Sequence, residues 1–327
     1  MNITIKNVGH YLPEQIISNQ DMIDRFSLRM KAGWVEKIVG IKERRWANED
    51  QATSDLAVAA CKDFDLKNFK GPLFLSTITG DYLTPSTSSI IKRKLALSGN
   101  YPAVDINAAC AGFLFALENG INYLLSGKSD QALILASECR SRFINTSDRR
   151  TAFLFGDAAC ALLIEKTDDN GMIEWVETQT EASEDYEILI PAGGTREPLT
   201  EEVITSKRHL ITMNDGTKIS EVTSSKLIDT VNQTLSTKGQ KLSDFDHFIF
   251  HQGNGLLIRA IAKEMGIDED KVWINFDRYG NSSSASVGLS FSEAIQSGKV
   301  KNGDRILMMA MGAGYHIGMA SIKWRNS

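Results

Sequence analysis

The stretch Val104-Asp105-Ile106-Asn107-Ala108-Ala109-Cys110-Ala111-Gly112-Phe113 decides how the rest of the chain is read. Val104 to Ile106 has the apolar, β-branched character of a strand end and is expected to be buried. From Gly112 to Leu125, the residues Phe113, Leu114, Leu117, Ile121, Leu124 and Leu125 recur at helical spacing. Cys110 is therefore expected where a strand turns into a helix. Ala108, Ala109, Ala111 and Gly112 leave room for close backbone approach, and the free N–H groups of a helix start favour a thiolate, so the thiol pKa is expected below its usual value. A thiol in that setting is a candidate nucleophile, although a lone cysteine among alanines is ordinarily packing.

Strand and helix patterns alternate on both sides of this stretch. Residues 2 to 8 alternate as a strand, and Ser18 or Asn19 can cap a helix through Met22 and Phe26. The stretch from Trp34 to Arg45 is basic and amphipathic and reads as a solvated face with an apolar side. A helix from Asp55, a strand from Pro72 to Ser76, a polar loop from Thr77 to Ser88 and a helix through Ile90, Ile91 and Leu95 follow. Beyond the Cys110 helix come a strand from Ala132 to Ser137, a polar loop from Arg140 to Arg150, and F-L-F-G-D-A-A-C-A-L-L-I-E, which reads as a strand pair broken at Gly156. From Asn170 to about Thr223 polar residues and turn formers dominate, the expected place of a junction or insertion.

A second run then repeats the first: a helix near Lys226 to Leu235, the strand Asp246 to Phe250, helices at Leu256 to Met265 and Val287 to Ile295, the strand Arg305 to Ala310 and a last strand near Met319 to Trp324. This order is that of a layered α/β fold. It divides into halves at 1–169, holding Cys110, and 170–327, holding a histidine and an asparagine in matching loops, with no visible sequence identity between them.

A chain of 327 residues, 42% hydrophobic and 24% charged, can bury a large core. Its 36 basic and 41 acidic residues give a net charge of -5, which argues against nucleic acid as the main partner. Four cysteines without a C-x-x-C pair exclude a disulfide framework or zinc ribbon and suit a reducing cytoplasm. The start M-N-I-T-I-K-N-V lacks the pattern of a signal peptide, and no run approaches the roughly 18 apolar residues of a membrane span. His247 and His251 flank an apolar strand, so their spacing does not make a metal site, and no cofactor is expected. Too little chain follows Gly312-x-Gly314 for a dinucleotide-binding unit.

His251 ends the strand Phe248 to Phe250 and opens the loop H-Q-G-N-G; Asn281 lies in Y-G-N-S-S-S-A-S. Reacting groups in α/β folds collect on loops at the carboxyl ends of strands, so Cys110, His251 and Asn281 are expected to share one pocket. A thiolate can take an acyl group from a thioester. A neutral His251 Nε2–H and the Asn281 amide can donate to a carbonyl oxygen that becomes an enolate as a neighbouring carboxylate leaves as CO2. The backbone N–H of Cys110 and one from the Gly312-Ala313-Gly314 turn would serve a second oxyanion. The same trio is compatible with a Cys-His-Asn hydrolase, which the missing C-G-[SA]-C-[WY] signature disfavours, and with acyl transfer to an alcohol or amine, which an aspartate in place of Asn281 would suit better.

Together A-A-C-A-G-F, H-Q-G-N, Y-G-N-S-S-S-A-S and M-G-A-G-Y, with G-H-Y-L-P-E-Q, G-I-K-E-R-R and D-R-R-T-A-F-L-F-G-D, resemble ketoacyl-acyl-carrier-protein synthase III of the thiolase-like condensing enzymes, from end to end of the chain. The resemblance implies an α/β, five-layered αβαβα fold of two similar halves, in a homodimer. It implies decarboxylative Claisen condensation of a Cys-bound acyl group with a malonyl- or β-ketoacyl-thioester on acyl carrier protein, in fatty acid or specialised lipid and polyketide synthesis.

Under that resemblance Cys110 is the nucleophile, His251 and Asn281 are the decarboxylation pair, and the N–H groups of Cys110 and Ala313 form the oxyanion hole, Ala313 standing where glycine is common. The donor is acyl-CoA or acyl-ACP, with Trp34 and Arg149 at the positions that hold the adenine and Asn254 in the tunnel. Ile38 and Leu256 replace two basic residues, while Arg259 and Lys263 keep a basic face for carrier-protein docking. Thr84 stands where some relatives place a phenylalanine that closes the acyl pocket across the dimer, so a pocket for a medium or long acyl group is expected.

Overall fold

The computed structural model describes residues 2–168, 171–182 and 186–325. β1 (Ile3–Tyr11) is followed by β2 (Gln15–Ser18) and β3 (Glu43–Trp46), a two-stranded ribbon that brackets α1 (Asn19–Phe26) and α2 (Ala32–Val39). Then come α3 (Thr53–Ala60), β4 (Leu73–Ser76), α4 (Thr87–Lys94), β5 (Ala103–Ile106), α5 (Gly112–Leu125), β6 (Gln131–Glu138) and β7 (Ala158–Lys166). The second run opens on β8 (Ile173–Thr180) and a small ribbon of β9 (Ile188–Leu189) with β10 (Thr212–Met213) around α6 (Glu201–Thr205). It continues through α7 (Gly216–Lys238), β11 (His247–Phe250), α8 (Gly255–Glu264), β12 (Val272–Trp273), α9 (Phe276–Tyr279) and α10 (Ala285–Gln296), and ends on the hairpin β13 (Arg305–Gly312) and β14 (His316–Lys323).

The two five-stranded sheets have one topology. The first runs β1-β7-β6-β4-β5 and the second β8-β14-β13-β11-β12. In each, the first strand lies antiparallel to the last, the last antiparallel to the one before it, and the remaining neighbours are parallel. α5 and α10 fill the layer between the sheets, α3 and α4 cover the outer face of the first sheet, and α7 and α8 cover the outer face of the second. The result is five layers, αβαβα.

The central layer exists because both of its helices are apolar nearly all round. Phe113, Leu114, Leu117 and Leu124 of α5 are fully buried, as are Val287 and Phe291 of α10; each such side chain contributes about 1.5–3 kcal/mol of transfer free energy. α5 starts hard against the first sheet, because Gly112 has no side chain: a Cβ there would stand 1.9 Å from Ser76 Oγ. Among the described residues no helix is long and apolar enough to cross a membrane.

Four sequence expectations change. β5 is the edge strand of its sheet, and Val104 is 42% exposed rather than buried. Phe153 to Phe155 form turns instead of the first half of a strand pair; only Ala158–Lys166 is strand. The stretch from 170 to 223 is more than a junction, since it supplies β8 to the second sheet and the first turns of α7. Within the basic stretch Arg44 is fully buried, donating to the carbonyls of Ile17 and Phe153 and to Asn19 Oδ1. That network holds the Phe153–Phe155 turns in place.

Candidate active site

β4, β5 and β6 run parallel, so their carboxyl ends open on one edge of the first sheet. Cys110 follows β5 in a single 3-10 turn, Ala109–Ala111, that leads into α5. Ala109 sits at φ 47°, a left-handed conformation that costs an alanine of order 1–3 kcal/mol and turns the chain sharply before the thiol. From the second sheet, β13 ends on Gly312, where a Cβ would stand 2.7 Å from the Cys110 nitrogen and 2.9 Å from the Ala108 oxygen. Only glycine lets the two sheets meet at this point.

The other two loops converge on the same place. Asn281 donates its backbone N–H to the Leu154 carbonyl at 2.7 Å and accepts the Gly156 N–H at 3.1 Å, so the turns before β7 carry the Asn281 loop. Its Oδ1 accepts the Ser283 N–H at 2.8 Å. Ser283, held at φ 52°, brings its Oγ to 3.8 Å from Cys110 Sγ. The left-handed positions of this loop are Gly280 and Ser283, so Asn281 is not there to tolerate positive φ.

His251 Nε2 lies 2.8 Å, and Asn281 Nδ2 3.8 Å, from the point a Cβ on Gly253 would occupy. Both nitrogens therefore border one small space. Gln252, fully buried, staples the histidine loop: its amide donates to the carbonyls of Phe250 and Trp273 and its Oε1 accepts the N–H groups of Asn275 and Phe276.

The electrostatics differ from the sequence expectation at Cys110. Burial pushes its thiol up to about 11, and the opposing effects of Arg140 and the Ser283 hydrogen bond do not restore it to the usual value. Loss of solvent around the sulfur is the largest of these effects. Cys110 still keeps partial exposure, whereas Cys61, Cys139 and Cys160 are buried packing residues. Burial alone lowers His251 to about 4, so the ring is neutral at pH 7.

Nδ1 of that ring lies 2.7 Å from Ser286 Oγ, which also accepts the Gln252 N–H at 3.2 Å. In the tautomer with the ring hydrogen on Nε2, the serine hydroxyl donates to Nδ1.

Of the remaining sequence candidates, Ala313 follows Gly312 in the β13–β14 turn and is exposed. Asn254 is the N-cap of α8, its Oδ1 accepting from the Leu256 and Leu257 N–H groups at 2.9 and 3.2 Å. Trp34 on α2 is 52% exposed beside the equally exposed Ile38, and Arg149 is exposed on its loop. Lys263 is exposed, but Arg259 is ion-paired with Glu269, which weakens the expected basic face. Thr84 lies on an exposed loop after Leu83, itself 99% exposed.

Sequence reasoning passed over Ser283, Ser286, Glu138, Arg140 and Phe155. Glu138 is buried at the end of β6, where its carboxylate accepts from Ser284 Oγ at 2.6 Å, Thr79 Oγ1 at 2.7 Å and the Ile78 N–H at 3.3 Å. The available signal was a pair of charges, Glu138 and Arg140, closing the apolar strand L-I-L-A-S.

The sequence profile described as 3-Oxoacyl-[acyl-carrier-protein (ACP)] synthase III matches residues 104–182, and that of its C-terminal part matches residues 235–324. The beta-ketoacyl-[acyl-carrier-protein] synthase III of Fusobacterium nucleatum is 34% identical, with 99% of both chains covered. Among solved structures, 3-oxoacyl-[acyl-carrier-protein] synthase III from Aquifex aeolicus superposes with a TM-score of 0.86 at 29% identity, covering 98% of this chain and 100% of the other. The priming beta-ketosynthase of the R1128 polyketide pathway does so at 0.87 and 26%, covering 99% and 96%.

Proposed function

This chain belongs to the 3-oxoacyl-[acyl-carrier-protein] synthase III family of thiolase-like acyltransferases, and on that premise we propose that it joins an acyl group held on Cys110 to a malonyl thioester on acyl carrier protein by decarboxylative Claisen condensation. The observation that carries the reading is the meeting of Cys110 with the His251 and Asn281 loops, through the 3.8 Å approach of Ser283 to the sulfur and the shared space beside Gly253.

In the first half-reaction Cys110 sulfur bonds to the acyl carbon and the carbon–sulfur bond to the carrier breaks. The cysteine proton leaves with the carrier thiol. The Cys110 N–H, with that of Ala313, holds the oxygen of the tetrahedral intermediate. In the second, the carbon–carboxylate bond of the acceptor breaks and CO2 departs. His251 Nε2–H and Asn281 Nδ2–H donate to the thioester oxygen as it becomes an enolate. The enolate carbon attacks the acyl carbon, and Cys110 leaves as thiolate to recover a proton. A neutral imidazole suits this role, because it donates a hydrogen bond without surrendering a proton to the enolate.

Thr84 and Leu83, exposed in the single chain, fit a loop presented to a second copy in a homodimer. A small Thr84 there supports a medium or long acyl donor over acetyl, and the exposed Trp34 and Arg149 are the residues to hold a coenzyme A donor. Loading rates of Cys110 with acetyl- and octanoyl-CoA test the chain-length reading; octanoyl is expected to load faster, and faster loading by acetyl contradicts it.

A further inference from the structure

Arg140 stands in the 3-10 turn just beyond β6, on the strand edge that carries Cys110, and is 2% exposed. Its guanidinium carbon lies 4.8 Å over the centre of the Phe155 ring, and Phe155 bridges to Asn281. The cation thus sits over the ring of Phe155. Nε and Nη1 are buried without a hydrogen-bond partner among the described residues. A buried charged donor left in that state costs the full desolvation penalty, so its presence in a site points to an acceptor that arrives with the substrate.

The neighbouring charges narrow the identity of that acceptor. Glu138 and Asp157 both interact electrostatically with Arg140, yet neither hydrogen-bonds its Nε or Nη1. Their oxygens are engaged elsewhere: Glu138 by Ser284 and Thr79, and Asp157 by the Ala47 N–H at 2.8 Å and by Ser141 Oγ at 2.6 Å. Two acids thus already face one cation, yet none of their oxygens takes its Nε–H or Nη1–H. A third carboxylate would add unbalanced negative charge; an uncharged oxygen would not.

We propose that Arg140 reads an uncharged oxygen, keto or hydroxyl, on the acyl group that Cys110 carries, so that this chain selects oxygenated acyl donors over plain hydrocarbon ones. The inference rests on the acyl-carrying role of Cys110 given above.

The test is competitive loading followed by intact-protein mass. The wild-type protein meets equal concentrations of octanoyl, 3-oxooctanoyl, 3-hydroxyoctanoyl and carboxylate-ended octanedioyl pantetheine thioesters, with Cys110→Ala showing that adducts are on the sulfur. A keto or hydroxyl donor is expected to load about ten-fold faster than octanoyl, the scale of one hydrogen bond to a charged donor. In Arg140→Leu that ratio is expected to fall to about one. Arg140→Lys, which keeps the charge without the planar fork, is expected to lie between. Equal loading of octanoyl and the oxygenated donors by the wild type overturns the proposal with no variant needed, as does a preference for the carboxylate-ended donor. Failure of every donor to modify Cys110 overturns the acyl-carrying role as well, and so is told apart from a loss of selectivity alone.

Discussion

Nδ1 of His251 lies 2.7 Å from Oγ of Ser286, and the same oxygen accepts the Gln252 N–H at 3.2 Å. One serine on α10 thereby holds the ring of a histidine on the opposite loop by its Nδ1, and a hydroxyl donating there leaves the ring hydrogen on Nε2. The interaction crosses the site from the central helical layer to the second sheet.

Loss of that serine should affect one half-reaction only. In Ser286→Ala the ring is free to turn or to take the other tautomer, and release of CO2 from a malonyl thioester is expected to slow about ten-fold, less than the 10²–10³ lost when a donor is removed outright. Acylation of Cys110 by a donor thioester, followed by mass, should keep its wild-type rate. Equal slowing of both steps would show that Ser286 supports folding of the loop and not the histidine tautomer.

Gly312→Ala tests how closely the two sheets meet. The added methyl would stand 2.7 Å from the Cys110 nitrogen, closer than real Cβ contacts come, so the 3-10 turn has to move. Because Gly312 is not among the left-handed glycines, the substitution strains contact and not φ. Acylation of Cys110 is expected to fall about 100-fold, since a misplacement near 1 Å costs on that order, and stability by about 1–3 kcal/mol. A variant that loads like the wild type would mean that the Cys110 backbone can yield without consequence.

Histidine 251 also leaves a signature in stability. Its folded pKa of about 4 lies below the ordinary histidine value of 6.5, so as pH falls the unfolded chain takes the proton first. The contribution from His251 is complete above pH 6.5 and is lost as pH drops toward 4, about 2 kcal/mol of it between pH 7 and pH 5. Asp157, raised to about 6 by burial, pulls the other way over part of this range, so the comparison is made between wild type and His251→Gln. Urea unfolding at the two pH values should show the variant losing less stability on acidification. Equal losses would mean that the ring is charged in the folded protein.

Much of this architecture was legible where one physical signal dominated. The apolar spacing from Phe113 to Leu125 has a single solution, and α5 runs from Gly112 to Leu125 as expected. The Cys110, His251 and Asn281 loops were legible because each follows a strand or turn that the sequence marks with small residues. Signals failed where partners are distant in the chain. Phe153 to Phe155 look like strand, but their backbone is claimed by Arg44 and Asn281, 109 residues before and more than a hundred after. Arg44 and Arg140 read as solvent-facing cations because a guanidinium reveals nothing in sequence about the carbonyls or the aromatic ring that will cover it. Val104 reads as core because its edge position depends on strand order. The thiol of Cys110 was expected to be acidified by a helix, whereas the site is drier than the spacing of its residues can indicate.

The most direct test of the Cys110, His251 and Asn281 assignment is the mass of the intact protein taken through one turnover. An acyl thioester is expected to add its acyl mass on Cys110, and malonyl-carrier protein is then expected to remove that mass with release of one CO2 and appearance of the 3-oxoacyl product. Asn281→Ala is expected to keep the first step and slow the second about 100-fold or more. Removal of the acyl mass by water alone, or unchanged condensation by Asn281→Ala, would contradict the assignment.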